Sequence, residues 1–310
     1  MKLLTIMLNI MEKHTIKSKN EITLSLHCWC KGVRKCNICY PALKFQDGQI
    51  VNKFIYCHEC ENKSWPFMDN SKINQLNICP LHNDILKFNN LKFLSINGVH
   101  LYPDSLSKTD EQILINIIDS LQWSGSQSGR RKQDFGPKIN FKKQKIKNHN
   151  CIKQNSDHNI LTPSQFPGFS LLINILKNYD IINNFTKFFI PEFKCYKNFD
   201  YPFIPVELCN LEYNPIRGSH IEPHFDDFWA WGPRLVTFNL LSDTVLTLSD
   251  NNDQPSQFIE IYLPRRSLLI IEHEARYEWK HSIDPNNINE RRIAITLREF
   301  SKEIIDLNRN

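Results

Sequence analysis

The feature that most restricts the fold of this chain is a series of six short apolar runs between residues 206 and 300. The runs read VELCNLEY, RLVTFNLL, TVLTLS, QFIEIYLP, RSLLIIE and RRIAITLREF, and Pro, Asn, Asp and Gly residues separate them. Many short strands without alternating helices are typical of an antiparallel sandwich or barrel. We therefore expect a mainly β fold with flanking helices. The β core of this fold should span about residues 203–300.

Two helices are predicted upstream of these strands. The stretch LSKTDEQILINIIDSLQW has Ser107 as a plausible N-cap, and its apolar residues repeat at helical spacing. The residues expected on the buried face are Ile113, Leu114, Ile117, Ile118 and Leu121. The stretch FSLLINILKNY predicts a second helix, and we expect both to pack outside one sheet.

The composition is typical of a globular protein, with 41% hydrophobic and 23% charged residues. The formal net charge of +5 allows a polyanionic partner but does not require one. The first eleven residues are apolar, but Asn9 interrupts them and no cleavage site of small residues follows. No later run reaches the ~18 uncharged apolar residues of a membrane span, so we expect an intracellular protein.

The stretch HIEPHFDDFW concentrates ionisable side chains that resist burial unless they are paired or bind a ligand. His224 and Asp226 form an H-x-D pair, and on a strand both side chains would point to one face. Alone, the pattern is weak. The same chain has a second H-x-D and an H-x-E, which are the pairs His82 with Asp84 and His220 with Glu222.

Residues further along the chain make the pair more specific. His281 follows Asp226 by 55 positions, and two histidines with one carboxylate form the facial triad of non-haem Fe(II) oxygenases. Arg292 and Arg298 are six positions apart, which places both on one face of a strand. An inward guanidinium binds the carboxylate of an organic co-substrate well.

The order of these motifs resembles the AlkB family of Fe(II)/2-oxoglutarate dioxygenases. The resemblance rests on HFD at 224–226, KHSI at 280–283 and RRIAITLRE at 291–299. The last run differs from the family at Ala294, where asparagine is common. CNLEY is similar to the family's Asn-x-Tyr strand, but Asn210 and Tyr213 are one position further apart than usual.

Three longer stretches make the chain similar to the homologue 4 branch of that family. They are CWCKGVRKCNIC, SQSGRRKQDFGPKINFKKQK and EPHFDDFWAWGPRLVTFNLLS. The resemblance implies a double-stranded β-helix, or jelly roll, in which His224, Asp226 and His281 hold Fe(II) and use 2-oxoglutarate and O2. It also implies that Arg292 meets the distal carboxylate of 2-oxoglutarate, with Arg298 as the alternative, and that Tyr213 and Asn210 contact the co-substrate.

The resemblance implies oxidative N-demethylation with release of formaldehyde. The implied substrate is monomethyl-lysine in a protein such as actin, and N6-methyladenine in DNA is the second candidate. We expect a monomer of the cytoplasm and nucleus that does not bind membranes. The alternative is a non-catalytic adaptor that retains the jelly roll and binds zinc and nucleic acid.

Seven of the ten cysteines precede residue 80. Cys28, Cys30, Cys36 and Cys39 offer four thiolates within twelve residues, enough for one tetrahedral Zn2+. A weaker second set comprises Cys57, Cys60, Cys79 and His82, and free buried thiols are an equal alternative for it. We therefore divide the chain into a flexible lead at 1–27, a Cys-rich segment at 28–96 and a dioxygenase domain at 97–310.

A strongly basic run, GRRKQDFGPKINFKKQKIK, contains eight Lys or Arg residues from Arg130 to Lys147 and a single acidic residue. It resembles the AlkB substrate lid, which we place at about 124–147. The predicted lid residues are Arg131 and Gln133, nearest the motif, and Phe135 beyond them. The lid charges suit DNA phosphates or an acidic protein surface equally well. We expect Asp227, Phe228 and Trp229 to shape the wall beside the iron, and Trp231 to be core.

Overall fold

The computed structural model describes residues 52–58, 63–66, 94–140, 143–147, 162–179, 203–252 and 255–307. The predicted lead at 1–27 and the four predicted zinc ligands, Cys28, Cys30, Cys36 and Cys39, lie outside these residues. Of the predicted second zinc site only Cys57 is described, and its thiol is free. Cys60, Cys79 and His82 also lie outside the described residues.

Seven strands form the first sheet, which we call the major sheet. Their spatial order is β4 (Val99–Tyr102), β14 (Leu268–Ile271), β11 (Trp231–Leu240), β16 (Arg292–Phe300), β9 (Glu207–Tyr213), β6 (Arg131–Phe135) and β5 (Ser124–Gly125). Every neighbouring pair in this sheet is antiparallel.

Seven more strands form the second, minor sheet. Their order is β10 (Ile221–His224), β15 (Trp279–Ile283), β12 (Thr244–Asp250), β13 (Gln257–Leu263), β1 (Asn52–Cys57), β2 (Lys63–Pro66) and β3 (Leu94–Ser95). Among the described strands of this sheet, only β1 and β13 pair in parallel. Strands β1 to β3 come from the predicted Cys-rich segment, so the predicted boundary at residue 96 is wrong for these residues, which belong to the minor sheet.

Two apolar layers hold the sheets and helices together. The inner layer lies between the sheets and includes Leu235 and Leu269 from the major sheet and Leu248 and Ile259 from the minor sheet. The outer layer covers the other face of the major sheet with α1 (Lys108–Ser120) and α2 (Phe169–Leu176). Burial of apolar surface on both faces explains why the strands of the major sheet form nearly continuous apolar runs.

Shorter elements complete the described chain. They are α3 (His273–Tyr277), α4 (Lys302–Leu307), the hairpin of β7 (Lys138–Asn140) and β8 (Lys145–Lys147), and the 3-10 turns Pro163–Gln165, Pro215–Arg217 and Pro285–Asn287. No helix in the described part of the chain is both long and apolar enough to cross a bilayer.

The predicted jelly roll with flanking helices is confirmed, and each of the six apolar runs contains a strand. Ser107 caps α1 as expected, and its side chain forms a capping box with Asp110. The predicted apolar face of α1 was wrong at one position, because Ile113 is 45% exposed. Ile115 takes its place in the core, beside Leu114 and Ile118.

The difference between Leu114 and Ile113 gives a matched test of this packing. Leu114→Ala should lower the free energy of unfolding by ~2–5 kcal/mol, because it leaves a cavity in a fully buried site. Ile113→Ala, one residue earlier on the exposed face, should change it by less than ~0.5 kcal/mol. Urea denaturation of both variants measures the contrast, and equal effects in the two variants would contradict the described orientation of α1.

Candidate metal centre and co-substrate pocket

The three predicted iron ligands come together at one end of the minor sheet. Strand β10 ends at His224, which lies opposite His281 of the neighbouring β15. The donor atoms of His224, Asp226 and His281 all lie within 4.8 Å of one another. Two imidazoles and one carboxylate in this arrangement fit a non-haem Fe(II) site with open coordination positions.

The reason for this convergence differs from the one predicted. We expected His224 and Asp226 to share one strand face, but β10 stops at His224 and Asp226 lies in the loop that follows. That loop turns back through hydrogen bonds from the Ala230 and Trp231 amides to the carbonyl of Asp227. The turn, and not the strand period, brings the Asp226 carboxylate beside the two imidazoles.

Hydrogen bonds orient the ring of His224. Its Nδ1 lies 2.8 Å from the carbonyl oxygen of Glu222 and 3.1 Å from that of His281. A nitrogen between two carbonyls must carry the proton, which leaves the lone pair on Nε2. That Nε2 lies 4.0 Å from Asp226 Oδ1, so it points toward the shared metal position.

Arg298 holds the carboxylate of the centre from behind. Its Nη1 donates to Asp226 Oδ1 at 3.1 Å, and its Nε lies 2.6 Å from Glu207 Oε2. The second contact is close but not aligned as a regular hydrogen bond. The Arg298 guanidinium also lies 4.7 Å from the centre of the Trp231 ring. Trp231 is buried in the core, as predicted, and it also supports Arg298.

The surrounding charges keep the metal carboxylate ionised. Burial alone would raise the pKa of Asp226, but Arg298, His281 and His224 outweigh it and lower that pKa well below its ordinary value. Burial likewise opposes the charge on Arg298, yet Glu207 and Asp226 raise the pKa of its guanidinium. Asp226, Arg298 and Glu207 therefore form a buried unit in which the guanidinium compensates the carboxylates.

Arg292 has a different environment on the same strand. It is 1% exposed, and its Nε donates to Asn239 Oδ1 at 2.6 Å. Its guanidinium lies 4.8 Å from the centre of the Tyr213 ring. Its Nη1 is buried and has no hydrogen-bond partner, and burial together with the nearby Arg130 lowers the pKa of this guanidinium.

The two arginines lie on one face of β16, as predicted, but they are not equivalent. Arg298 is already paired with two carboxylates, whereas a buried donor of Arg292 is unsatisfied. A buried guanidinium without an anion costs free energy that an incoming carboxylate would recover. Arg292 thus fits the distal carboxylate of 2-oxoglutarate, and Arg298 fits the support of Asp226.

The structure does not bring Asn210 to this pocket, so this prediction was wrong. Asn210 and Tyr213 are three positions apart on β9 and point to opposite faces of the sheet. The Asn210 amide donates to Gln133 Oε1 at 2.9 Å, on the helix side. On the pocket face, the residue two positions before Tyr213 is Leu211, which pairs with Ala294 of β16, so both positions are apolar here.

The three predicted lid residues are also elsewhere. Arg131, Gln133 and Phe135 lie on β6, inside the major sheet, and their side chains face the helices. Gln133 donates to the backbone carbonyls at the end of α1, while Phe135 is 7% exposed and packs on Phe166. Arg131 pairs with the buried Glu212. None of the three is placed to touch a substrate.

The hairpin of β7 and β8 lies closer to the centre. Its Ile139 and Ile146 pack on an apolar cluster that includes Trp229, three residues after Asp226. Lys138, Lys143 and Lys145 of the hairpin are exposed. Within the predicted lid, the described hairpin residues 138–140 and 143–146 therefore lie beside the loop that carries Asp226, and residues 141 and 142 lie outside the described residues.

Exposed aromatic rings surround the other side of the centre. Phe228 and Tyr277 are each 43% exposed, and their ring centres lie 5.3 Å apart. Phe228 also contacts Phe225, the residue between His224 and Asp226. Below them the buried Arg276 donates to the backbone carbonyl of Asp226 at 3.0 Å. Phe228 was expected in this wall, but Tyr277 and Arg276 were missed.

Known proteins resemble this chain over most of its length. A DNA N6-methyl adenine demethylase of Caenorhabditis elegans is 33% identical over 90% of this chain and 88% of its own length. The human alpha-ketoglutarate-dependent dioxygenase alkB homolog 4 is 33% identical over 89% of this chain and 87% of its own. The chain belongs to the AlkB family. The predicted family and the predicted class of enzyme, a 2-oxoglutarate-dependent dioxygenase, are confirmed.

Two further comparisons add little to this assignment. A scan against protein-family models finds no match. A solved structure, OsALKBH1, is 14% identical, covers 65% of this chain and 98% of its own, and aligns with a TM-score of 0.42.

Replacement of each pocket arginine should have a different effect. Arg298→Ala leaves the carboxylates of Asp226 and Glu207 buried without their partner, so it should lower stability by ~3–5 kcal/mol and weaken Fe(II) binding. Arg292→Ala should lower stability less, because no carboxylate of the described protein loses its partner. It should sharply raise the 2-oxoglutarate concentration needed for half-maximal turnover. Urea denaturation, metal titration and succinate assays give the three quantities.

Arg266→Ala is the control for this comparison, because the Arg266 side chain, in the β13–β14 turn, pairs with the exposed Asp104 and not with a carboxylate of the pocket. It should leave iron and 2-oxoglutarate binding unchanged. If Arg292→Ala weakened iron binding while Arg298→Ala weakened only 2-oxoglutarate binding, the two roles would be exchanged.

Proposed function

We propose that this protein uses Fe(II) and 2-oxoglutarate to remove the methyl group from monomethyl-lysine in a protein substrate such as actin. The observation that carries the reaction type is the pairing of a complete His, Asp, His ligand set with a buried guanidinium that has an unsatisfied donor. The 33% identical relatives, a demethylase and a 2-oxoglutarate-dependent dioxygenase by name, support the same reaction.

Each group in the site has a defined part in this chemistry. His224, Asp226 and His281 would hold Fe(II), and Arg298 would keep Asp226 ionised and directed at the metal. Arg292 would bind the distal carboxylate of 2-oxoglutarate. When bound, Fe(II), 2-oxoglutarate and O2 would supply the oxidation of the N-methyl carbon, which would leave as formaldehyde while 2-oxoglutarate becomes succinate and CO2. The protein provides orientation and excludes water.

The charge around the mouth favours a cationic substrate. Beside Tyr277 and Trp279 a cleft is lined by three acidic side chains, those of Asp250, Glu274 and Glu278. Trp279 lies two positions before His281 on β15, about 7 Å along the strand, although the lining of the cleft includes none of the three metal ligands. Carboxylates attract a lysine-containing peptide and repel DNA phosphates, and the exposed rings of the mouth suit a methylammonium group.

N6-methyladenine in DNA is the second candidate. It is favoured by the activity that the name of the Caenorhabditis elegans relative states and by the exposed lysines of the β7–β8 hairpin. A non-catalytic adaptor is the third alternative. It does not explain why the structure contains three converging metal ligands and a buried guanidinium with an unsatisfied donor.

The two substrates can be compared directly. The wild-type protein, Fe(II) and 2-oxoglutarate are incubated with either a monomethyl-lysine peptide or a DNA oligonucleotide containing N6-methyladenine, and formaldehyde and succinate are measured together. We expect faster formaldehyde release from the peptide, and none from either substrate with Asp226→Ala. Faster release from DNA would reverse the proposed substrate preference, and succinate without formaldehyde from both would exclude both substrates.

The hairpin lysines provide an independent test. The variant with Lys138→Gln, Lys143→Gln and Lys145→Gln should turn over a short methyl-lysine peptide like wild type, because a short peptide does not reach all three charges. If DNA were the substrate, the slope of log K against log salt would flatten by ~0.7–0.9 for each phosphate that the variant no longer binds. Lys108→Gln, at the exposed start of α1, serves as the control.

A further inference from the structure

A second buried arginine lies beside the co-substrate pocket. Arg130 immediately precedes β6, and the register of β6 with β9 places Arg131 opposite Glu212. Neighbouring side chains of a strand alternate between faces, so Arg130 lies on the opposite side from Arg131 and next to Tyr213. Arg130 is 5% exposed, and its Nη1 lies 3.4 Å from the Tyr213 hydroxyl oxygen.

Tyr213 is therefore in contact with two guanidinium groups. Arg292 lies 4.8 Å from the centre of its ring. Arg130 lies 5.5 Å from the same ring centre. Both arginines are buried, and among the residues that the structure describes no carboxylate pairs with either of them. The nearby carboxylate of Glu212 is taken by three other arginines on the opposite face, Arg131, Arg217 and Arg291.

This arrangement determines what the Tyr213 hydroxyl can do. A guanidinium group only donates hydrogen bonds, so the hydroxyl oxygen must act as an acceptor toward Arg130. Its single hydrogen then points away from Arg130 and needs an acceptor of its own. A carboxylate at Arg292 Nη1 would accept from this hydroxyl and would also balance two buried positive charges.

The backbone keeps Arg130 in this position. The Ser126 amide donates to the Arg130 carbonyl at 2.9 Å, and Arg130 Nε donates to the Gln127 carbonyl at 3.2 Å. The carbonyl of Gly129 accepts from Ser219 Oγ at 2.7 Å and from Arg217 Nε at 3.0 Å. The turn at 126–130 is thus fixed to the loop that leads into β10 and the metal ligands.

We propose that Arg130 is a positioning residue of the 2-oxoglutarate site, which fixes the Tyr213 hydroxyl as a donor and adds a second positive charge facing the distal carboxylate. The inference rests on the proposed use of 2-oxoglutarate, but not on the identity of the methylated substrate. It makes recognition of the distal carboxylate depend on one arginine from the turn before β6 and one from β16. Leu211 and Ala294 have no polar side-chain atoms with which to bind the carboxylate, so Arg130, Tyr213 and Arg292 would provide these contacts.

The test measures binding without turnover. Full-length protein is loaded with Mn(II), which does not support oxidation, and is titrated by calorimetry with 2-oxoglutarate and with 2-oxobutyrate, which lacks the distal carboxylate. Arg130→Gln should weaken 2-oxoglutarate binding about ten- to a hundredfold, the range for a charge-assisted hydrogen bond, and should change 2-oxobutyrate binding little. Arg130→Lys should recover part of the affinity, because it restores the charge but not the planar donor group.

A control variant and a stability measurement separate positioning from simple packing. Arg131→Gln, one residue away on the other face, should leave both affinities unchanged. Without ligand, Arg130→Gln should melt no lower than wild type, because it removes a buried charge that has no anionic partner, but 2-oxoglutarate should raise its melting temperature less. A lower melting temperature with an unchanged ligand-induced increase would show a packing role and overturn the inference.

The remaining outcomes distinguish this inference from the proposed function. If wild type prefers 2-oxoglutarate over 2-oxobutyrate and Arg130→Gln retains the full preference, Arg130 has no part in the site while the co-substrate assignment stands. If wild type does not distinguish the two acids, the assigned role of Arg292 fails, and the inference fails with it.

Discussion

The contact of Asp226 with Arg298 is the interaction on which the metal centre depends. Asp226 lies in a loop, outside the strand that carries His224, so no backbone ladder holds it beside the two histidines. Arg298 supplies that restraint from the opposite sheet, with Glu207 behind it and Trp231 against its face. Removing one member of such a buried group leaves the others uncompensated, so we expect structure and metal binding to fail together.

Strand β16 extends this arrangement to the co-substrate. Its alternation directs Ile293, Ile295 and Leu297 into the helix-covered layer and both arginines toward the minor sheet. One arginine meets carboxylates of the protein itself, while the other meets only an amide, a phenol and a second guanidinium. The same strand therefore provides a charge-balanced support for the metal at one end and an uncompensated site for an anion at the other.

The apolar pattern of the sequence predicted the strands whose residues are buried on both faces, but this pattern did not reveal the strands that carry the ligands. Strands β10 and β15 contain His, Glu and Lys, which interrupt the apolar pattern, and their pairing depends on contacts far apart in the chain. The triad itself was predictable because it rests on residue types and their order. The fold of the Asp226 loop was not, since it depends on backbone hydrogen bonds to the Asp227 carbonyl and on contacts with Arg276 and Arg298 far along the chain.

The errors at Asn210 and at the lid have a common physical origin. A shift of one position along a strand transfers a side chain to the other face of the sheet. Asn210 is one position out of step with Tyr213, and its amide turns to the helices. Phe135 looked like a stacking residue within a basic run, but β6 is an inner strand of the major sheet and its aromatic ring belongs to the core. Among the described strands of the basic run, β7 and β8 lie outside the two large sheets.

The central claim is that one iron ion, held by His224, Asp226 and His281, binds 2-oxoglutarate in this pocket. Its most direct test is the visible charge-transfer absorption that a 2-oxo acid produces when it chelates Fe(II), recorded without oxygen. Wild type should develop this absorption on addition of 2-oxoglutarate, and Asp226→Ala should not. Absorption that persists in Asp226→Ala, or its absence in iron-loaded wild type, would contradict the claim.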